Sequence, residues 1–201
     1  MSPLAHDIRS FERPSVLRRW LPLAVAAPQL SPHWHDWLGT RDSLTARLAA
    51  LVGGTITVRI HAEHAAIPLG DEARRLELPQ RRLAWIREVV LEHERRPLIA
   101  ARSVVPLDEL PREVRLLGHR ALGQWLFAHP GVTRSAIELT PQALPIAGHH
   151  GLGTRRSVFH HRRCRLLVQE SFLSEAGRLM AAEPARFRLE SHRRQCPHRP
   201  R

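Results

Sequence analysis

Read with a period of two, AWIREVVLEH (84–93) puts Trp85, Val89 and Leu91 on one face, the pattern of a half-buried strand. The same alternation predicts strands at TITVRIH (55–61), LIAARSVVP (98–106), TRSAIEL (133–139), RRSVFHH (155–161) and RLLVQESFL (165–173). The strands at 83–93 and 98–106 face each other across ERRP, a hairpin signal with a longer loop. Helical spacing replaces alternation elsewhere. Ser31 and Pro32 open a helix whose face carries Trp34, Trp37 and Leu38. Leu44, Leu48 and Leu51 predict a second helix that Gly53 ends. LDELPREVRLLGHRALGQWLF (107–127) reads as helix broken into pieces by Pro111 and Gly118. Pro68, Gly70 and Pro79 mark a loop between strands. No βαβ rhythm and no internal repeat appears, so the expected class is α+β: a single antiparallel sheet of about six strands with helices packed against it.

The pattern also has misfits. Arg87 shares the apolar face of Trp85, Val89 and Leu91. Arg102 shares a face with Leu98, Ala100 and Val104, and Glu170 one with Leu166, Val168 and Phe172. An unpaired buried charge is costly. Three explanations stand: the faces are solvated, the charges pair with one another, or they line a site for a charged ligand. Two arginines and one carboxylate leave such a site net positive, suited to a dianion that also carries a hydroxyl.

Composition narrows the picture. The 201 residues suit one domain with a sizeable core, and no apolar run approaches the roughly 20 residues of a membrane span. The net charge of +12 raises nucleic acid as a partner. Yet the chain has no Lys, Asn or Tyr, so the excess reads as the arginine bias of a GC-rich genome. No nucleic-acid-binding motif accompanies it, and no specific nucleic-acid partner is expected. The N-terminus lacks the build of a secretory signal, and Cys164 and Cys196 form no CxxC, so a cytoplasmic protein is expected. His33, His35, His160 and His161 lack the spacing of a metal site and read as surface histidines. Organisation is expected as an irregular arm over 1–30, a domain over 31–174, and a short helix with a basic tail over 175–201. The segment 191–201 has no acid and almost no apolar residue, which predicts disorder. It is either an unselected extension or a weak tether to anionic membrane.

Seven pieces occur in order: DSLT (42–45), WIREV (85–89), PLIAARSVVP (97–106), ALGQWLF (121–127), TRSAIEL (133–139), GLGTRRS (151–157) and LLVQESFL (166–173). From Trp37 to Leu173 the chain thereby resembles the chorismate lyase family. The resemblance implies an antiparallel six-stranded sheet enclosing an internal site beneath flaps. It implies conversion of chorismate to 4-hydroxybenzoate and pyruvate, the first step toward ubiquinone, with no metal or redox cofactor and with product inhibition. Carried over residue by residue, Arg87 grips the aromatic carboxylate and Glu170 meets the ring hydroxyl. Leu44 and Leu122 contact the ligand through their backbones, and Arg102 suits the pyruvyl carboxylate. Leu44 stands where the family usually has methionine, and GLGTRRS replaces a Trp-containing version. A monomer is expected. The alternative is a non-catalytic sensor of small carboxylates with the same general fold. The roughly 30 residues before the resemblance are too few for the DNA-binding domain such sensors carry.

Overall fold

The computed structural model of the chain describes residues 19–140 and 145–182. The elements run β1 (Leu21–Pro22), α1 (Leu23–Ala26), α2 (Pro32–Gly39), α3 (Leu44–Val52), β2 (Thr57–Ala66), α4 (Gly70–Arg75), β3 (Ala84–His93) and β4 (Arg96–Pro106). They continue with α5 (Arg112–Arg115), α6 (Leu122–Ala128), β5 (Thr133–Arg134), β6 (Glu138–Thr140), β7 (Gly153–His161), β8 (Cys164–Phe172) and α7 (Ser174–Ala182). The strands form one antiparallel sheet in the order β1-β6-β7-β8-β4-β3-β2, with β5 also paired to β7. The α+β class is as expected, but the described strands number eight. The run at 133–139 is two pieces, because Ser135 Oγ accepts the Val158 N–H and interrupts the ladder. The other addition is β1, from the expected irregular arm, whose Leu21 pairs with Leu139.

Local chemistry accounts for most boundaries. Ser43 caps α3 by accepting the Ala46 N–H at 3.3 Å, and Gly53 ends the helix at φ +63°. Two connections depart from expectation. The β3–β4 hairpin is tight, not long: His93 pairs with Arg96, and Glu94 and Arg95 take φ of 48° and 66°. That backbone usually calls for Asn-Gly, so Glu-Arg concealed it. The stretch read as loop around Gly70 contains α4, a helix too short for periodicity to show.

The register sorts every side chain of the central strands onto one of two faces. One face carries Arg87, Ser103, Val168 and Ser157 in one row and Val89, Ala101, Glu170 and Arg155 in the next. We call this the inner face. At one end it packs against α2, α3 and α7 through Trp37, Leu48, Phe172, Ala176 and Met180. At the other it packs against α5 and α6 through Val114, Trp125, Leu126, Phe159 and Leu166. The outer face carries Ile86, Val104, Leu167 and Val158 against Leu76, which follows α4.

Because Ala176 and Met180 are fully buried, α7 belongs to the packed unit. The boundaries expected at 31 and 174 do not coincide with breaks in packing. The tail 191–201, including Cys196, lies outside the described residues. No described helix is long and apolar enough to cross a membrane.

Candidate active site

The two helical groups on the inner face leave a cavity between them. Its walls include Leu44, Thr45, Arg87, Ala101, Ser103, Leu122, Gly123, Arg134, Arg155, Phe159 and Glu170. Of the five residues singled out from the sequence, four meet here: Arg87, Glu170, Leu44 and Leu122.

Arg87 projects from β3 with its side chain 3% exposed. Its Nη2 donates to the carbonyls of Gly118 at 2.6 Å and Arg120 at 3.1 Å. Its Nη1 is buried and has no hydrogen-bond partner. The nearest carboxylate, on Glu63, is 3.8 Å from that atom. Burial therefore lowers the Arg87 pKa, and Glu63 offsets only part of the effect. A guanidinium held by neutral carbonyls, with a free buried donor, is prepared to receive an anion.

Glu170 stands two strands away on β8 and one row along, which puts the two backbones about 12 Å apart across the sheet. Its Oε2 accepts from Arg155 Nε at 2.6 Å. Arg155, fully buried on β7, also donates from Nη1 to the carbonyls of Trp37, Leu38 and Thr40 at 3.2, 3.1 and 2.9 Å. One arginine thus fixes the orientation of Glu170 and anchors the chain that leads into α3.

Leu44 and Leu122 are the first residues of α3 and α6. Backbone N–H groups in a first helical turn have no intrahelical partner. Both helices bring that turn to the cavity wall, with Thr45 and Gly123 beside them. The starts are adjacent: a β-carbon at Gly123 would lie 3.7 Å from Ser43 Oγ. Free N–H groups at helix starts favour a carboxylate.

Arg102 is the correction. The register places it on the outer face, in a row with Glu88, Gln169 and Arg156. Its Nε and Nη2 donate to the two oxygens of the fully buried Glu72 at 2.7 and 3.0 Å, and its Nη1 donates to Glu88 at 2.7 Å. Burial lowers its pKa, but the bonds to Glu72 and then Glu88 outweigh that and raise it. Arg102 is saturated by carboxylates and is not among the residues that line the cavity. The misreading has a physical cause. Strand β4 is buried on both faces, so alternation could not say which face was which. The partner Glu72 sits on α4, the helix read as loop.

The sequence reading missed Arg155 and Arg134, although both lay inside quoted pieces. Alternation along β7 sets Arg155 on one face with Ser157 and Phe159, a signal of the same kind as at Arg87. Arg134 sits on the two-residue β5, too short to show parity. It donates from Nε to Ser157 Oγ at 2.9 Å and from Nη1 to Thr40 O at 3.1 Å, and its guanidinium lies 5.0 Å from the Phe159 ring centre. Burial first, then the charge of Arg155, lowers its pKa to about 10, so it remains a cation at neutral pH. Among the described residues, no group of three or more His, Cys, Asp or Glu side chains could hold a metal.

Residues 19–181 match the family model described as chorismate lyase. The chain belongs to the chorismate lyase family. A protein named probable chorismate pyruvate-lyase from Chromohalobacter salexigens is 41% identical over 161 residues, covering 77% of this chain and 88% of that protein. One of the same name from Marinobacter nauticus is 37% identical, covering 77% and 85%. The family match extends beyond the stretch from Trp37 to Leu173 at both ends and takes in β1 and most of α7. Among solved structures, the effector domain of PhnF from Mycobacterium smegmatis is similar at a TM-score of 0.47 and 14% identity, covering 67% of this chain and 90% of that one.

Proposed function

We propose that this chain is a chorismate lyase and that the inner-face cavity is where it eliminates pyruvate from chorismate to give 4-hydroxybenzoate. The observation that carries the reading is Arg87, a buried cation with an unpartnered donor, lining one cavity with the carboxylate of Glu170. Membership of the family supports the same substrate.

The chemistry asks for these groups. Chorismate carries a ring carboxylate, a ring hydroxyl, and an enolpyruvyl ether with its own carboxylate. Elimination breaks the ether bond on the ring side and removes a hydrogen from the neighbouring hydroxyl-bearing carbon. The ring becomes aromatic, and the proton ends on the methylene carbon of the departing enolpyruvate. The atoms of the two products are those of chorismate, so no oxidant, reductant or second substrate is needed. Arg87 clamps the ring carboxylate, and the first-turn N–H groups of Leu44 and Leu122 add donors. Glu170, oriented by Arg155, accepts from the ring hydroxyl and sets the ring's rotation. Arg102 braces the sheet behind the site and makes no contact with ligand.

The product keeps the ring carboxylate and hydroxyl, and with them both grips. Its release therefore limits turnover, and added 4-hydroxybenzoate inhibits. The enzyme works as a cytoplasmic monomer and supplies a precursor of ubiquinone. Incubating the purified protein with chorismate tests the reading. Equal amounts of 4-hydroxybenzoate and pyruvate are expected; failure to consume chorismate would overturn it.

A further inference from the structure

Four arginines line the cavity: Arg87, Arg120, Arg134 and Arg155. Three have visible employment. Arg87 is the clamp at one end. Arg155 gives Nε to Glu170 and Nη1 to three carbonyls. Arg120 gives Nε and Nη2 to the carbonyls of Leu117 and Leu116. Arg134, like Arg120, is held only by neutral oxygens, here on Ser157 and Thr40, and no carboxylate of a described residue pairs with it; unlike the exposed Arg120, it is half-buried. Its Nη2 has no hydrogen bond to a described residue. We propose that Arg134 receives the carboxylate of the enolpyruvyl group, and so distinguishes the doubly anionic substrate from the singly anionic product.

The position fits the shape of the substrate, and the proposal rests on the chorismate reading. The ether and the hydroxyl occupy adjacent ring carbons, with the ring carboxylate across the ring from the hydroxyl. A residue for the second carboxylate must therefore stand beside the hydroxyl's partner and away from the first clamp. Arg134 bonds Ser157 on the inner-face strand that also carries Arg155, the partner of Glu170, and it feels the charge of Glu170. Arg102, on the outer face with Glu72 and Glu88, cannot serve. With Nε and Nη1 each making one bond, both N–H groups of Nη2 remain for an anion.

Once elimination is complete, the second carboxylate leaves with pyruvate. Arg134 then has no part in holding the product, whereas Arg87 does. Substrate and product affinities should accordingly separate on replacing Arg134. We expect Arg134→Gln to raise the KM for chorismate by about 30-fold or more, as for loss of one partner of a desolvated charge pair. The Kd for 4-hydroxybenzoate should stay within about threefold of wild type. Arg134→Lys should fall between the two in KM, with the same product affinity. Retained product binding also reports that each variant is folded; if the Gln variant does not fold, the Lys variant reads the same split. The wild-type protein gives a reading that needs no variant: 3-(carboxymethoxy)-4-hydroxybenzoate should bind at least about tenfold more tightly than 4-hydroxy-3-methoxybenzoate. Equal loss of substrate and product affinity, loss of neither, or no preference for the dicarboxylate overturns the assignment. A wild-type protein that leaves chorismate intact would instead overturn the functional reading, so the two failures are distinguishable.

Discussion

The two faces of the sheet carry similar numbers of charges and treat them in opposite ways. On the outer face, one row runs Glu88, Arg102, Gln169, Arg156 and Glu138 across five strands. Every arginine in it meets carboxylates: Arg102 meets Glu72 and Glu88, and Arg156 meets Glu138 and Asp71. The row is closed. On the inner face, Arg87 and Arg134 are anchored by neutral oxygens, and only Arg155 has a bonded carboxylate. That face is left short of anions. A sheet can hold buried arginines for structure or for binding, and the identity of their partners tells which.

The largest separation of the faces should come from Arg87→Gln. Losing the clamp removes a charge that ligand would pair, so kcat/KM for chorismate should fall on the order of 1000-fold, within the 2–5 kcal/mol range for such truncations. Stability should change little, because the weak 3.8 Å contact with Glu63 is its one ion pair among the described residues. Steady-state kinetics beside thermal melting would check this; a collapsed melt with normal kinetics would reverse the assignment.

Arg102→Ala should do the opposite. It strands Glu72 and Glu88 on a buried face, which costs about 3–5 kcal/mol of stability. Denaturant unfolding measures the loss. Glu170→Gln comes next in size. It keeps the shape but removes the charge that Arg155 pairs with, and 4-hydroxybenzoate should bind about tenfold more weakly, as for loss of a charge-assisted hydrogen bond. Unchanged affinity would remove Glu170 from the site.

The smallest effect concerns Cys164, at the start of β8 and buried. Burial, then the charge of Glu109, pushes its thiol pKa up to about 12. The thiol stays protonated at pH 8 in the folded chain and becomes reactive on unfolding. Mass-mapped alkylation should find Cys164 unlabelled until denaturant is added.

How far the sequence revealed this contrast depended on burial pattern. Arg87 and Glu170 could be found because each interrupts an apolar alternation, and they do share the cavity. Arg102 interrupts one equally well, but β4 is buried on both faces, so its side could not be read. Its partner Glu72 comes from a six-residue helix that no periodicity announces. Arg155 was legible by the same parity that exposed Arg87. Arg134 was not, since two residues of strand carry no alternation. The hairpins followed from the pattern; the tight Glu94-Arg95 turn did not, because its residues are unusual for positive φ.

The most direct test of the two-face account is calorimetric titration of 4-hydroxybenzoate into wild type, Arg87→Gln and Arg102→Gln at a temperature where all three remain folded. The account predicts that Arg87→Gln weakens binding by at least about 30-fold, while Arg102→Gln leaves Kd within about threefold. Loss of affinity in Arg102→Gln with wild-type affinity in Arg87→Gln would contradict it.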